Sequence, residues 1–376
     1  MTPIVTIERM PFFVGPIAPG QRPDVPETLP FSLGVEPRTG LVRQLVDANL
    51  RVALARAYRA GSMLSTPLGH GALAGGRLAE ALETLTRALG GEVRGKLFLE
   101  IGCGEGDALA ALKARGAEVM GIEIGPQGQR GAERHRIEIL EEPFETARLG
   151  RCFDCIFSFG CVEHIEALDA FWDATRAHLK DGGTIFHSVP DFSATMMSLR
   201  KEDLAHEHIN YFTTASACAM LGFEGFADGK VRPNQAGNEI FFWGRAGGAA
   251  AQAAWDGTAT LADFARRFDA SWSAERRFFD ACAARHESVG LYAGGFVSAS
   301  ISGCAEHMRY YDGDTAKHGK SWLSRLPAIQ APQSLMDDPV DHLVVSPVHH
   351  FDAIARHLTR ELQVPRGMTI HRGFDG

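Results

Sequence analysis

No run in this 376-residue chain approaches the roughly 18–20 apolar residues that a bilayer-spanning helix needs, so a membrane-embedded protein is not expected. The opening MTPIVTIERMPFFVGPIAPG lacks a basic segment followed by an apolar one, so no secretory signal is read and the cytosol is the expected location. Excess positive charge is missing too: 38 Lys and Arg stand against 46 Asp and Glu. That excludes a non-specific grip on nucleic acid, which needs a basic face to displace counterions. It leaves room for a small anionic substrate held by a few arginines. Cysteine is sparse, odd in number at seven, irregularly spaced, and absent before residue 103. A disulfide framework is therefore not expected. Cys152 and Cys155 form a CxxC, but no second pair stands at zinc spacing, so they are read as buried thiols and no metal is expected.

What is present is an ordinary globular balance, 45% hydrophobic and 22% charged. Composition divides the chain into residues 1–78, Pro- and Gly-rich and then helical; 79–247, alternating strand-like and helix-like runs; and 248–376, an Ala-rich linker and helix followed by renewed alternation. In the middle region the periodicity predicts a helix over 79–90 and strands at 96–101, 118–123, 136–140, 153–158 and 184–189. Helices are predicted at 107–115 and 168–179, with Asp181-Gly182-Gly183 as a turn into the last strand. This alternation predicts an α/β fold, a Rossmann-like doubly wound parallel sheet with helices on both faces. Ligands bind such sheets beyond the carboxyl ends of the strands.

Directly after the first strand comes Glu100-Ile-Gly102-Cys-Gly104-Glu-Gly106. Glycines there let the backbone turn tightly and approach a ligand. A dinucleotide fingerprint would place its third glycine at 107, where this chain has Asp, which would repel a pyrophosphate. The G-x-G-x-G spacing after an acid instead resembles the first motif of class I S-adenosylmethionine (SAM) methyltransferases. That resemblance implies SAM as cofactor, with Glu100 holding its amino-acid end and Gly102, Gly104 and Gly106 making room for it. Glu123 closes the second strand, 21 residues after Gly102, where a carboxylate can accept two bonds from a ribose diol. Glu142, after the third strand, is a candidate for the adenine amine. Gly160 and Cys161, after the fourth, are expected beside the cofactor.

Two histidine segments carry candidate chemistry: Glu163-His164-Ile after the fourth strand, and His206-Glu207-His208-Ile-Asn-Tyr211 further on. An unperturbed imidazole is the natural general base near neutrality, and an adjacent carboxylate can orient it. The second segment is not the HExxH zinc spacing.

With these segments on the page, residues from about 30 to 350 resemble the nucleotide-deoxysugar C-methyltransferases. His164 matches the family's first histidine, and Glu207 with His208 match its H-E-H. Ala-Tyr58-Arg-Ala-Gly-Ser62 resembles its N-terminal tyrosine loop, and Asp312 to Gly319 its D-x-x-x-x-K-x-G segment. The resemblance implies that residues 1–78 cover the substrate and that a Rossmann-like domain lies at the C-terminus. It further implies that His208 removes a proton next to a keto group, that Glu207, His164 and Tyr58 support it, and that the enolate takes the methyl group. The implied partner is a small molecule, a keto sugar such as a nucleotide sugar. The chain departs from the family where Glu36 and Thr39 replace zinc-binding cysteines, where Ala205 replaces a tyrosine, and where Tyr292-Ala-Gly-Gly295 lacks the family's lysine. Two further possibilities stay open: O- or N-methylation of a sugar or natural product, and a non-catalytic SAM-binding scaffold. His349-His350 is expected to be a polar loop.

Overall fold

The computed structural model describes residues 1–59, 72–249, 256–347 and 350–373. They fall into two compact units: Met1–Val5, Ser32–Ser198 and His206–Leu261 form the first, and Thr6–Phe31, Leu199–Ala205 and Ala262–Gly376 the second. The boundaries expected at 78 and 247 both lie within the first unit's span. Among the described residues no helix is long and apolar enough to cross a membrane.

The N-terminal strands are β1 (Val5–Pro11), β2 (Thr28–Val35) and β3 (Val42–Gln44), followed by helices α1 (Ala48–Arg59) and α2 (Ala72–Ala88). Leu33–Val35 of β2 pair antiparallel with β3 through a turn that Glu36 closes. One Glu36 oxygen accepts the Thr39 N–H at 2.9 Å and the Thr39 hydroxyl at 2.8 Å, and the other accepts the Arg38 guanidinium. A carboxylate thus ties the turn where the resembling family would use metal-bound thiolates.

The large sheet of the first unit contains β4 (Leu97–Ile101), β5 (Glu118–Ile122), β6 (Glu138–Leu140), β7 (Phe153–Phe159) and β8 (Leu179–Pro190). After the short β9 (Asn210–Tyr211), β10 (Ala227–Pro233) and β11 (Glu239–Arg245) complete it. The order across the sheet is β10-β11-β8-β7-β4-β5-β6. Strands β4 to β8 run parallel, as expected, whereas β11 pairs antiparallel with β8 and with β10, making the sheet mixed. The expected turn at Asp181-Gly182-Gly183 is instead an irregular part of β8, exposed at Asp181 and Gly182 and buried at Gly183, with Gly182 at φ +69°. That strand therefore starts earlier than its apolar run suggests.

Helices α3 (Asp107–Ala114), α4 (Gln127–His135), α5 (Leu168–His178), α6 (Phe192–Ser198) and α7 (Thr214–Phe223) belong to the same unit. The sheet is apolar on both faces because each parallel strand is covered twice. Leu99 and Ile101 of β4 pack into a core with Ile156, Phe171, Trp172 and Met220, and Phe98 packs on the other face with Leu85, Leu112 and Phe157. Thr213 and Ser216 form a reciprocal capping box that starts α7.

Most of α8 (Thr258–Ala284) lies in the second unit with a five-stranded parallel sheet. Its strands are β12 (Val289–Tyr292), β13 (Arg309–Tyr311), β14 (Ile329–Gln330), β15 (His342–Val345) and β16 (Thr369–Arg372), in the order β14-β13-β12-β15-β16. Helix α9 (Phe296–Ile301) follows β12 through the Ala293-Gly294-Gly295 loop, all three residues at positive φ. This is the expected Rossmann-like C-terminal half. Asp312 ends β13 buried, its carboxylate held by Lys317 at 2.9 Å and by the Asp314 N–H. His349 lies outside the described residues.

Candidate active site

The cofactor cradle starts from the carboxyl end of β4. Glu100 is buried among apolar neighbours, and its Oε2 has no hydrogen-bond partner among the described residues. Burial, then the nearby Glu123, push its carboxyl well above the usual range. The loop then turns through Gly102, Gly104 and Gly106, all at positive φ. A Cβ at Gly102 would meet Cys161 Sγ at 2.9 Å, so only glycine lets β4 and the end of β7 close together. At Gly104 nothing lies within 4 Å of where a Cβ would stand. The space beside the loop is open.

Glu123 follows β5 and is 7% exposed. Its Oε2 accepts the Gly104 N–H at 2.9 Å, and its Oε1 accepts the Gly125 N–H at 2.7 Å and the Gln127 amide at 3.0 Å. The carboxylate thus fixes the glycine loop. Oε1 already accepts two bonds, whereas Oε2 accepts one and retains lone-pair capacity for a ribose hydroxyl. Asp107 begins α3, where a negative charge suits the helix dipole, and accepts from His135 at 3.1 Å. Glu142 lies half-buried just beyond β6, and Gly160, exposed, sits after β7 next to the partly buried Cys161. The donor set fits the amino-acid and ribose groups of SAM: an unpartnered buried carboxylate oxygen at Glu100, open space over Gly104 and a clamped acid at Glu123.

The histidine cluster is assembled from three separate stretches of the first unit. Tyr58 hydroxyl lies 3.4 Å from His164 Nδ1, and that nitrogen donates to the Glu207 carbonyl at 2.8 Å. His164 and His208 rings meet edge-on, 5.0 Å between centroids, and His208 also meets the Tyr211 ring. Burial, then the neighbouring His208, lower the His164 pKa to about 3, so this imidazole is neutral near pH 7. Burial raises the Tyr58 hydroxyl well above its ordinary range. Tyr58 stands on the last turn of α1 rather than in the expected loop, because the apolar spacing of Leu50, Ala53, Leu54 and Ala57 carries the helix through it. Residues 60–62 lie outside the described residues.

Two positioning residues were not legible in the sequence. Asn210 donates to the carbonyls of Val162 and Ile165 at 2.9 and 2.7 Å, and Arg43 donates to Asn210 at 2.8 Å. The Ile209 N–H bonds the Glu163 carbonyl at 2.7 Å. This clamp holds the turn Val162–His164 against β9 and thereby sets His164 opposite His208. A side-chain amide bonding carbonyls some 45 residues away leaves no local pattern to find.

Residues 74–228 match a family described as a methyltransferase domain. These residues form a class I SAM-dependent methyltransferase domain. Ubiquinone biosynthesis O-methyltransferase of Brucella ovis is 31% identical over 101 residues, 25% of this chain and 41% of that protein. Its counterpart in Bordetella avium is 28% identical over 109 residues, 27% of this chain and 45% of that protein. The chain thus spans less than half the length of these curated relatives. Among solved structures, magnesium protoporphyrin IX methyltransferase from Synechocystis PCC 6803 with bound SAH aligns at 15% identity and TM-score 0.41, covering 51% of this chain and 97% of its own. A 1,6-didemethyltoxoflavin-N1-methyltransferase from Burkholderia thailandensis aligns at 18% identity and TM-score 0.40, covering 55% and 95%.

Within this methyltransferase domain Glu163, read from sequence only as the carboxylate beside His164, stands out. It is 3% exposed, its Oε2 has no partner among the described residues, and burial raises its pKa from 4.5 to about 8. Ligand atoms of Glu163, His164 and His208 lie within 4.8 Å of one another, so this cluster could also hold a divalent cation, although no metal was expected from the sequence. A carboxyl whose folded pKa is raised binds more protons folded than unfolded. Its contribution to stability is therefore full below pH 4.5 and is lost as pH rises toward 8. Glu163→Gln is expected to flatten the fall in melting temperature over that window. A slope identical to wild type in thermal-shift measurements would show that Glu163 ionises freely in the fold.

Proposed function

We propose that the chain methylates a small molecule from SAM at a carbon next to a keto group of a sugar, a nucleotide sugar included. The observation that supports this most is the convergence of Tyr58, His164 and the Glu207-His208 pair in the unit that carries the glycine loop. When bound, SAM supplies an electrophilic methyl group on a sulfonium. Glu100, Gly102, Gly104, Gly106, Glu123, Glu142, Gly160 and Cys161 hold it. His208 takes the proton from the acceptor carbon. The Tyr58 hydroxyl polarises the keto oxygen, and His164, kept neutral with its proton on Nδ1 by the bond to the Glu207 carbonyl, supports the base through its edge-on contact with the His208 ring. The sulfonium methyl would be the electrophile for the enolate carbon so formed, its bond to sulfur breaking to release the neutral thioether.

A second reading, O-methylation, draws on the local likeness to ubiquinone biosynthesis O-methyltransferases. There His208 would take a hydroxyl proton. Incubation with SAM and a panel of keto and reduced nucleotide sugars, followed by mass spectrometry, separates the two. Addition of one methyl group to the keto sugars alone is expected. Methylation of the reduced sugars at equal rates would overturn the C-methylation reading.

A further inference from the structure

The second unit carries a cluster that the methyl-transfer chemistry does not use. Cys282 lies in the last turn of α8, Glu287 just beyond it, His342 begins β15 and His371 lies in β16. Cys282 is 1% exposed. Ligand atoms of Cys282, Glu287 and His342 lie within 4.8 Å of one another. His342 Nδ1 is 3.0 Å from His371 Nε2, and His342 Nε2 is 3.0 Å from Glu287 Oε2. Two ring nitrogens that close share one proton. With His342 Nδ1–H as the donor to His371, His342 Nε2 is a lone pair 3.0 Å from the Glu287 carboxylate, an arrangement that a cation between the two satisfies.

A proton would suffice for an imidazole–carboxylate pair, but it would leave the buried Cys282 thiol without a role at the same point. We propose that Cys282, Glu287 and His342 bind a zinc-class divalent cation. The donor set, one thiolate, one carboxylate and one imidazole, suits a thiophilic borderline cation and leaves a fourth position for water. His371 orients the metal-bearing imidazole through its second nitrogen, the usual support for a histidine ligand. The Phe278 ring covers both imidazoles, 5.6 Å from His342 and 5.2 Å from His371. Arg285 also bonds Glu287 Oε2, at 2.9 Å from its Nε, so Arg285 and His342 share this one oxygen. A cation there would tie the end of α8 to β15.

The test is titration of the chelator-treated full chain with Co²⁺. One equivalent is expected to give a thiolate-to-cobalt charge-transfer band in the near ultraviolet, displaced by Zn²⁺. The cluster of Glu163, His164 and His208 has no sulfur ligand and cannot produce that band. Cys282→Ser should abolish the band with the circular dichroism of the fold retained. His371→Ala should weaken binding about 10–100-fold. If the serine variant does not fold, loss of the band in Glu287→Gln gives the same evidence. Absence of the band in the wild type, or a band of full strength in Cys282→Ser or Glu287→Gln, would overturn the proposal.

Discussion

His208→Ala is expected to lower kcat by about 10²–10⁴-fold, the usual contribution of a positioned general base, while SAM affinity changes less than about twofold. The split follows from where the residue sits. His208 meets the rings of His164 and Tyr211 in the histidine cluster. Its neighbour His164, at a pKa of about 3, stays neutral throughout the working range and cannot supply a rate change between pH 5 and 8. A rate change in that window that survives in the alanine variant belongs to another group, Glu163 at about 8 first among them. Initial rates across pH, paired with calorimetric SAM affinity, check both halves. Wild-type kcat in the alanine variant would move the base elsewhere.

Glu123→Ala is the second large effect, and it falls on affinity. The carboxylate has two tasks: it accepts the N–H groups of Gly104 and Gly125, and it faces the position of a ribose diol. Removing it leaves two backbone donors without their acceptor and deletes charge-assisted bonds to the cofactor. A loss of about 3 kcal/mol, roughly 100-fold in Kd, is the expected scale. Glu123→Gln keeps one acceptor oxygen and should fall between wild type and alanine. Calorimetry with SAM measures the series, and an unchanged Kd in the alanine variant would remove Glu123 from the cofactor site.

The parallel half of the large sheet was readable because each strand carries its own short apolar run and each helix its own spacing. Leu97–Ile101 and Phe153–Phe159 lie almost where periodicity places them. The antiparallel β10 and β11 were not read: β10 is mostly exposed or half-exposed and shows little apolar patterning of its own. The expectation of two buried thiols in the CxxC held for Cys155 but not for Cys152, which is exposed. Sequence spacing singled out Glu100, the glycines and Glu123 as candidates, since a loop after a strand and an acid after the next are local signals. It gave no role to Arg43 and Asn210, whose partners lie far along the chain. Tyr58, likened to a family loop, stands on a helix defined by the apolar spacing of Leu50, Ala53, Leu54 and Ala57.

The measurement closest to the central claim is solvent exchange without methyl transfer. A keto nucleotide sugar is incubated with the chain and S-adenosylhomocysteine in deuterated water, and the carbon next to the ketone is followed by mass spectrometry. The account predicts deuterium uptake with the wild-type chain and none above background with His208→Ala. No uptake by the wild-type chain, on a sugar that it does methylate, would contradict enolate formation at this histidine cluster.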